Sequence, residues 1–195
     1  MAEDRLVRQI EFILEIDKLK GVLRRTYLPA GRRENSAEHS WHLAMAALVL
    51  AEHARQKVNI ARVVHMLLVH DIVEVDAGDT FLYDETAQEQ KADRERQAAE
   101  RIFNLLPADQ ADWVRGLWDE YGQQQTPEAR FAYAVDRFQP ILLNYTCRGR
   151  MWREHGVTAS RVRARNRPIE AGSVPLWEHA QSLIEDAVRQ GFLPE

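Results

Sequence analysis

The amino-acid sequence predicts an all-α protein, and three observations lead to that prediction. Apolar residues recur three and four positions apart along most of the chain, as on one face of a helix, and they almost never alternate as in a half-buried strand. Capping residues, glycines and prolines separate these segments. The chain has 195 residues, 45% of them hydrophobic, with neither an internal repeat nor a Gly/Ser linker. We therefore expect residues 1–195 to fold as a single-domain helical bundle.

The first part of the chain predicts three helices. Residues 5–20 form the first, and the loop segment YLPAGRRENS follows it. Asn35 or Ser36 can cap the second, whose segment WHLAMAALVLAEHA is apolar nearly all round and is therefore expected at the centre of the fold. The third covers about 60–75 and is broken at Gly78. The apolar face of the first helix comprises Leu6, Ile10, Ile13, Leu14 and Leu19.

The remaining part of the chain predicts four further helices. The segment YDETAQEQKADRERQAAERIFNLL is a charged helix that we expect to form a solvated outer face. A short helix spans about 109–121, and a buried helix begins at Pro127, with a kink or break at Pro140. Residues 149–175 are rich in arginine and in loop-forming residues. A last helix covers about 176–190.

Composition and charge exclude several classes of protein. The net charge of -4 argues against a protein that binds nucleic acid polymers by neutralising phosphates. Cys147 is the single cysteine, so the chain can form no internal disulfide and no zinc–thiolate site. The first residues, MAEDRLVRQIEF, lack the apolar core of a secretion signal, and no run of 18 apolar residues predicts a membrane span. We therefore expect a cytoplasmic protein that does not bind membranes.

The segment LLVHDIVEVDAGDT, residues 67–80, ends an apolar helical stretch with polar groups. Residues four apart share a helix face, so His70 and Glu74 project together while Asp71 lies on the adjacent edge. Burying such charge without a partner is costly, and a divalent cation satisfies several carboxylates at once. A His-Asp pair alone is also common as a surface feature or as a satisfied hydrogen bond.

Two further polar residues occur where the pattern predicts burial. His39 begins the most apolar helix, and Asp136 lies inside FAYAVDRF. Taken alone, Asp136 can also be a core aspartate neutralised by Arg130 or Arg137, or an exposed residue. Together with His70 and Asp71, these two residues offer imidazole and carboxylate groups, which suit manganese, cobalt, iron, nickel or zinc better than calcium.

Three separated segments carry a resemblance to a known family. AEHSWHLAM, HDIVEVDAGD and AVDRFQPIL, in this order, resemble the HD superfamily of metal-dependent phosphohydrolases, in particular its bacterial 5'-deoxynucleotidases and related small HD-domain hydrolases. The resemblance implies a helical HD-type fold with one divalent metal ion, whose identity among manganese, cobalt, zinc, nickel, iron and magnesium stays open. The ligands that it implies are His39, His70, Asp71 and Asp136.

The same resemblance implies roles for residues around the metal. Glu74 and Asp79 match residues that act in catalysis and sugar recognition, and Arg24, with Arg25 as the second choice, matches an arginine that contacts the phosphate. Each residue also has a plainer interpretation. Glu74 can merely support a ligand histidine, Asp79 can be a turn former, and Arg24 can be a solvated charge at a helix end. Trp41, beside the predicted site, is a candidate for contact with a nucleobase.

Three functions follow as hypotheses. The first is a metal-dependent phosphomonoesterase that acts on nucleoside 5'-monophosphates, with a preference for deoxyribose implied by the resemblance. The second keeps the site but changes the substrate to a nucleoside triphosphate, an alarmone or a non-nucleotide phosphate. The third is a non-catalytic helical module with a structural metal. The apolar helices and the family resemblance also predict a homodimer, while the arginines of residues 148–170 can either cover a phosphate or solvate a loop.

Overall fold

Helices dominate the computed structural model, which describes residues 2–195, and the predicted all-α class is confirmed. The α-helices are α1 (Ala2–Ile16), α2 (Ser36–Leu50), α3 (Ile60–Val69), α4 (Glu74–Ala77), α5 (Glu85–Phe103), α6 (Ala108–Gln123), α7 (Pro127–Thr146), α8 (Arg150–Glu154), α9 (Ala159–Asn166), α10 (Ile169–Gly172) and α11 (Val174–Arg189). Short 3-10 helices cover Asp17–Gly21 and Ala51–His53. The strands are β1 (Leu23–Tyr27) and β2 (Arg33–Asn35).

A small antiparallel sheet occupies the region between the first two helices, where the sequence predicts only a loop. Strands β1 and β2 pair with Leu23 opposite Asn35 and Tyr27 opposite Arg33. A turn that includes Gly31, at a φ of 92°, joins them. The prediction fails at the ends of this loop because strands of five and three residues are too short to show an alternating pattern.

The predicted third helix is divided at the polar segment. Helix α3 ends at Val69, and α4 begins only at Glu74. Between them the backbone makes tighter contacts, with the Ile72 amide donating to the Val69 carbonyl at 3.1 Å and the Glu74 amide donating to the Asp71 carbonyl at 2.9 Å. Gly78, at a φ of 71°, ends α4 as predicted. The two helices therefore meet at a turn that carries His70 and Asp71.

Helix α7 passes through the centre of the molecule and continues past Pro140, where the sequence predicts a kink or break. It is one helix from Pro127 to Thr146, and its residues Phe131 and Val135 are completely buried. It packs against α2, α3, α10 and α11. A proline inside a helix costs about 3 kcal/mol, and we infer that packing on several sides outweighs this cost.

The arginine-rich region, predicted as mostly loop, contains the short helices α8, α9 and α10. The Thr158 hydroxyl caps α9 by accepting a hydrogen bond from the Arg161 amide. Trp152 and Ile169 are almost completely buried. Scattered buried residues of this kind anchor short helices that have no visible period in the sequence.

Helix α1 has the apolar face that the sequence predicts, but most of that face lies on the surface. Leu19, in the turn that follows the helix, is buried, as is Phe12 of α1, and Ile16 packs against the core while partly exposed. The exposed apolar residues of α1 are Leu6, Val7, Ile10, Ile13 and Leu14. Periodicity identifies a face, but it does not show what covers the face.

No helix within residues 2–195 is both long and apolar enough to cross a membrane.

Candidate metal centre and active-site cavity

A cavity of about 510 Å³ lies between β1, the turn after α3, and the helices α4, α5, α6 and α7. Most of the predicted site residues line it, namely Arg24, Arg25, His70, Asp71, Glu74, Asp79 and Asp136. His39 does not line the cavity; it is completely buried beside Asp136. Residues that are far apart in the sequence therefore converge on one concave surface.

Two histidines and one aspartate form the polar cluster beside this cavity. One possible ligand atom from each of His39, His70 and Asp136 lies within 4.8 Å of the other two. The His39 Nε2 atom is 2.9 Å from Asp136 Oδ1, and His70 Nε2 is 3.8 Å from the same oxygen. Asp71 stands next to them, with Oδ1 3.2 Å from His70 Nε2 and Oδ2 4.0 Å from His39 Nε2.

The orientation of His70 fits a metal ligand. Its Nδ1 atom is 2.9 Å from the Leu67 carbonyl oxygen, which places a ring proton on Nδ1 and makes Nε2 the atom that can bind a metal. Nε2 is buried and has no hydrogen-bond partner. A buried nitrogen lone pair that faces carboxylates is the donor arrangement that a divalent cation requires.

The charges in this cluster also fit a cation. Burial lowers the pKa of His70, but Asp71 and Asp136 outweigh burial and raise the pKa to about 9. Burial likewise raises the pKa of Asp136, but hydrogen bonds and charge from His39 and His70 hold it well below its ordinary value. The surrounding carboxylates thus favour positive charge at the centre of the cluster.

Glu74 is the first residue of α4, and its side chain is buried at the cavity wall. The Ser36 hydroxyl donates a hydrogen bond of 2.6 Å to Glu74 Oε2. Burial, reinforced by the negative charge of Asp71 and opposed by Arg24, raises the pKa of Glu74 to about 8. A carboxyl group that is fixed in place and holds its proton more tightly than usual is suited to proton transfer near neutral pH.

Arg24 lies on β1 rather than at a helix end, and it reaches into the acidic side of the cavity. Its Nη1 atom donates to Asp71 Oδ2 at 3.0 Å and lies 3.8 Å from Asp79 Oδ1. Burial raises the pKa of Asp79, and Asp71 adds to the rise while Arg24 opposes it. Arg25 also lines the cavity, but its side chain is more exposed.

Trp41 lies away from the cavity, which corrects the expectation that it contacts a nucleobase. Its exposed fraction is 65%, and it is not among the lining residues. Successive helix residues are about 100° apart, so Trp41 points to nearly the opposite side of α2 from His39. Proximity in the sequence therefore misled the prediction.

The arginine-rich region contributes to the cavity in an unexpected way. The residues that it places on the cavity wall are Met151, Trp152 and Asn166, and none of its arginines is among them. Arg161 instead donates to the Tyr83 carbonyl at 2.7 Å and ties α9 to another lining segment. These contacts support the cavity wall and favour neither predicted role for the arginines.

Two residues beside the polar cluster are absent from the sequence prediction. The Tyr121 hydroxyl donates a hydrogen bond of 2.8 Å to Asp136 Oδ2. Glu34 is 1% exposed, and its Oε2 atom is 3.5 Å from His39 Nδ1. The sequence offered a possible signal for Glu34, which is a carboxylate close to His39 in the segment RENSAEHS. It offers no such signal for Tyr121, which lies at the polar end of α6.

Comparison with known proteins agrees with this geometry. The sequence profile described as HD domain matches residues 16–177. The chain belongs to the HD domain family. The HD domain chain is 33% identical over 135 residues to the human protein named 5'-deoxynucleotidase HDDC2, a match that covers 68% of this chain. It is 31% identical over 124 residues to 5'-deoxynucleotidase YfbR of Escherichia coli, which covers 59% of this chain and 62% of that protein.

These matches leave part of each curated relative uncovered, since this HD domain chain spans about 65% of the length of the human protein. A solved structure extends the likeness over the whole chain. It is a crystal structure from Magnetospirillum magnetotacticum MS-1, described as a predicted metal-dependent phosphohydrolase, with 52% sequence identity and a TM-score of 0.95. The match covers 100% of this chain and 98% of that chain.

Proposed function

We propose that this HD domain protein is a metal-dependent phosphohydrolase that releases phosphate from nucleoside 5'-monophosphates, with a preference for deoxyribose. The observation that carries the proposal is that His39, His70 and Asp136 converge beside a cavity into which Arg24 extends from β1. The names of the human and Escherichia coli relatives support the reaction and the substrate class.

The donor set fits one divalent metal ion, which His39, His70, Asp71 and Asp136 would hold. Imidazole and carboxylate donors suit manganese, cobalt, iron, nickel or zinc. A divalent metal polarises phosphoryl oxygens and makes water more acidic, so that a nucleophile forms near neutral pH. Glu74, fixed by Ser36, would orient the attacking water or, in its ionised form, accept its proton.

Substrate binding would use the cationic and polar groups of the cavity wall. Arg24 offsets charge on the phosphoryl group, because its guanidinium presents several donors in one plane, and Arg25 adds a second cation near the opening. Asp79, in the turn after α4, would accept a hydrogen bond from a sugar hydroxyl. The aromatic side chains of Trp118, Tyr133 and Trp152 give the cavity apolar surface for the base.

A larger or more highly charged phosphate is the second candidate substrate. The cavity of about 510 Å³ falls in the ordinary range for small-molecule sites, and Lys91 adds a further cation to its wall. Lys91 lies 3.4 Å from Glu95, so part of its charge is already balanced. This pairing favours the monophosphate over a triphosphate or an alarmone.

A panel of substrates tests the proposal. Metal-stripped protein is supplied with manganese, cobalt, zinc, nickel or magnesium and incubated with ribo- and deoxyribonucleoside monophosphates, triphosphates and alarmones. Metal-dependent release of phosphate from the monophosphates is the expected result. Turnover of triphosphates or alarmones alone would instead support the second candidate, and metal binding without any turnover would support a structural metal.

We also propose that the protein is a cytoplasmic homodimer. Two helices expose apolar residues that support the proposal: α1, as described above, and α2, through Trp41, Met45, Leu48 and Val49. Such surfaces on soluble proteins commonly mark interfaces. We expect wild-type protein to be a dimer by light scattering and Ile13→Glu to shift it to a monomer; a wild-type monomer at micromolar concentration would contradict the proposal.

A further inference from the structure

Glu34 is a buried carboxylate that the proposed mechanism leaves without a role. It lies in the middle of β2, and its side chain is 1% exposed. Gln139 Nε2 donates a hydrogen bond of 2.8 Å to Glu34 Oε1, whereas Glu34 Oε2 has no hydrogen-bond partner. An unpaired oxygen on a buried carboxylate is costly, so its surroundings indicate what the residue is for.

Two side-chain nitrogens lie at the same distance from this oxygen. Arg24 Nε and His39 Nδ1 each lie 3.5 Å from Glu34 Oε2. Both nitrogens are buried, and neither has a hydrogen-bond partner. Because N–H···O bonds are about 2.7–3.2 Å long, a movement of a few tenths of an ångström would close both contacts. Three unpaired polar atoms are thus grouped around a single point.

The other ligand histidine shows what such a contact does. His70 points its Nε2 atom towards the metal cluster while its Nδ1 atom is held by the Leu67 carbonyl oxygen. His39 likewise points Nε2 towards Asp136. A histidine that binds a metal through Nε2 carries its proton on Nδ1, and this proton needs an acceptor. The acceptor that faces Nδ1 of His39 is Glu34.

We propose that Glu34 is a positioning residue that joins the metal site to the phosphate site. When metal binds, Glu34 Oε2 accepts hydrogen bonds from His39 Nδ1 and Arg24 Nε together. The first bond keeps His39 in the tautomer that offers Nε2 to the metal. The second holds the Arg24 guanidinium with its outer nitrogens towards the cavity. This inference rests on the proposed function, because it takes the metal and phosphate roles of His39 and Arg24 from it.

The small sheet explains how one carboxylate reaches both groups. Arg24 lies on β1, Glu34 lies on the paired strand β2, and α2, which carries His39, begins at Ser36. The Asn35 side chain caps α2 by accepting a hydrogen bond of 2.9 Å from the Glu38 amide. Strand pairing and helix capping therefore fix the positions of all three residues.

The test replaces Glu34 with glutamine, which has nearly the same shape. In Glu34→Gln the amide oxygen can still accept a hydrogen bond from Gln139. The amide nitrogen is a donor, however, and it would face Arg24 Nε and His39 Nδ1, which donate in the proposed metal-bound state. His39 would be driven to carry its proton on Nε2, the wrong atom for metal binding. Glu38→Gln is the matched control, because it removes a nearby carboxylate while glutamine still suits the capping position.

Affinity for Mn²⁺ and Co²⁺ is measured without substrate on metal-stripped, full-length protein by competition with a chelator. We expect Glu34→Gln to bind about 10 to 100 times more weakly than wild type and Glu38→Gln to bind equally well. At saturating metal, Glu34→Gln should also raise KM for a monophosphate, because Arg24 Nε loses the hydrogen-bond acceptor that orients its guanidinium. In zinc-loaded wild-type protein, imidazole ¹⁵N NMR should show His39 protonated at Nδ1.

The outcomes separate this inference from the proposed function. Unchanged metal affinity in folded Glu34→Gln would overturn the role of Glu34, and if Asp136→Ala had meanwhile lost metal binding, the proposed metal site would stand. A His39 ring bound to zinc through Nδ1 would overturn the inference even if the variant did not fold. Absence of metal binding in wild-type protein would overturn the inference and the proposed function together.

Discussion

Removal of the Tyr121 hydroxyl is expected to weaken metal binding while leaving the fold intact. The hydroxyl donates to Asp136 Oδ2 at 2.8 Å, while the other oxygen of this carboxylate faces His39 Nε2 at 2.9 Å. Tyr121→Phe therefore removes the contact that fixes the rotation of the carboxylate. It also leaves one buried carboxylate oxygen without a partner.

The size of this effect follows from the kind of bond. A hydrogen bond to a charged group contributes about 1.5–3 kcal/mol, and about 1.4 kcal/mol corresponds to a tenfold change in affinity. If the whole bond counted only in the metal-bound state, affinity would fall about 10- to 100-fold. The same hydrogen bond also forms in the metal-free protein, so only part of its free energy contributes to metal binding. We therefore expect a loss of affinity of about tenfold.

The assay is chelator competition with Mn²⁺ on metal-stripped protein. Tyr133→Phe is the matched control, because Tyr133 lines the same cavity and lies 6.0 Å from the Tyr121 ring between centroids, yet it does not donate to Asp136. We expect Tyr133→Phe to keep wild-type metal affinity. Equal affinities of Tyr121→Phe and Tyr133→Phe would refute the reasoning.

Two further predictions concern catalysis and packing. Glu74→Gln should keep metal binding and lower kcat at least 100-fold, because glutamine cannot accept the proton; titration calorimetry and phosphate release check this, and full turnover with metal bound would remove Glu74 from the mechanism. Gly172→Ala should destabilise the protein by about 3 kcal/mol in urea unfolding, since a Cβ there would lie 2.2 Å from the Arg130 carbonyl oxygen and 2.7 Å from Ala134 Cβ. Gly116→Ala, where a Cβ would meet nothing within 4 Å, should be neutral or stabilising, and equal losses in both variants would contradict the packing argument.

Apolar periodicity predicted the helical class, and interruptions of that periodicity singled out residues of the polar cluster. Their assignment as metal ligands came from the family resemblance and stays a prediction. A polar residue inside an apolar helical segment is an anomaly that the pattern itself reveals, as with His39 and Asp136. His70 and Asp71 were predicted because they lie side by side at the end of an apolar helical stretch, with Glu74 one turn after His70. The structure then places these four residues close together, although their distances apart in the sequence gave no information about contact.

The residues that the sequence did not predict depend on contacts between distant segments. Glu34 reaches His39 and Arg24 because two very short strands pair, with a register shift between Leu23 and Tyr27. Tyr121 reaches Asp136 because α6 and α7 pack together. Neither contact leaves a periodic pattern. The exposed face of α1 shows the same limit, because periodicity predicts an apolar face whether it meets the core or another molecule.

Whether a bound metal drives phosphate release is tested by titrating metal-stripped protein with Mn²⁺ while metal binding and phosphate release from a deoxyribonucleoside 5'-monophosphate are followed together. We expect no release without metal, a rise in release that follows the occupancy of one site per chain, and loss of both signals in Asp136→Ala. Release that is equally fast in metal-stripped and metal-loaded protein would contradict this expectation.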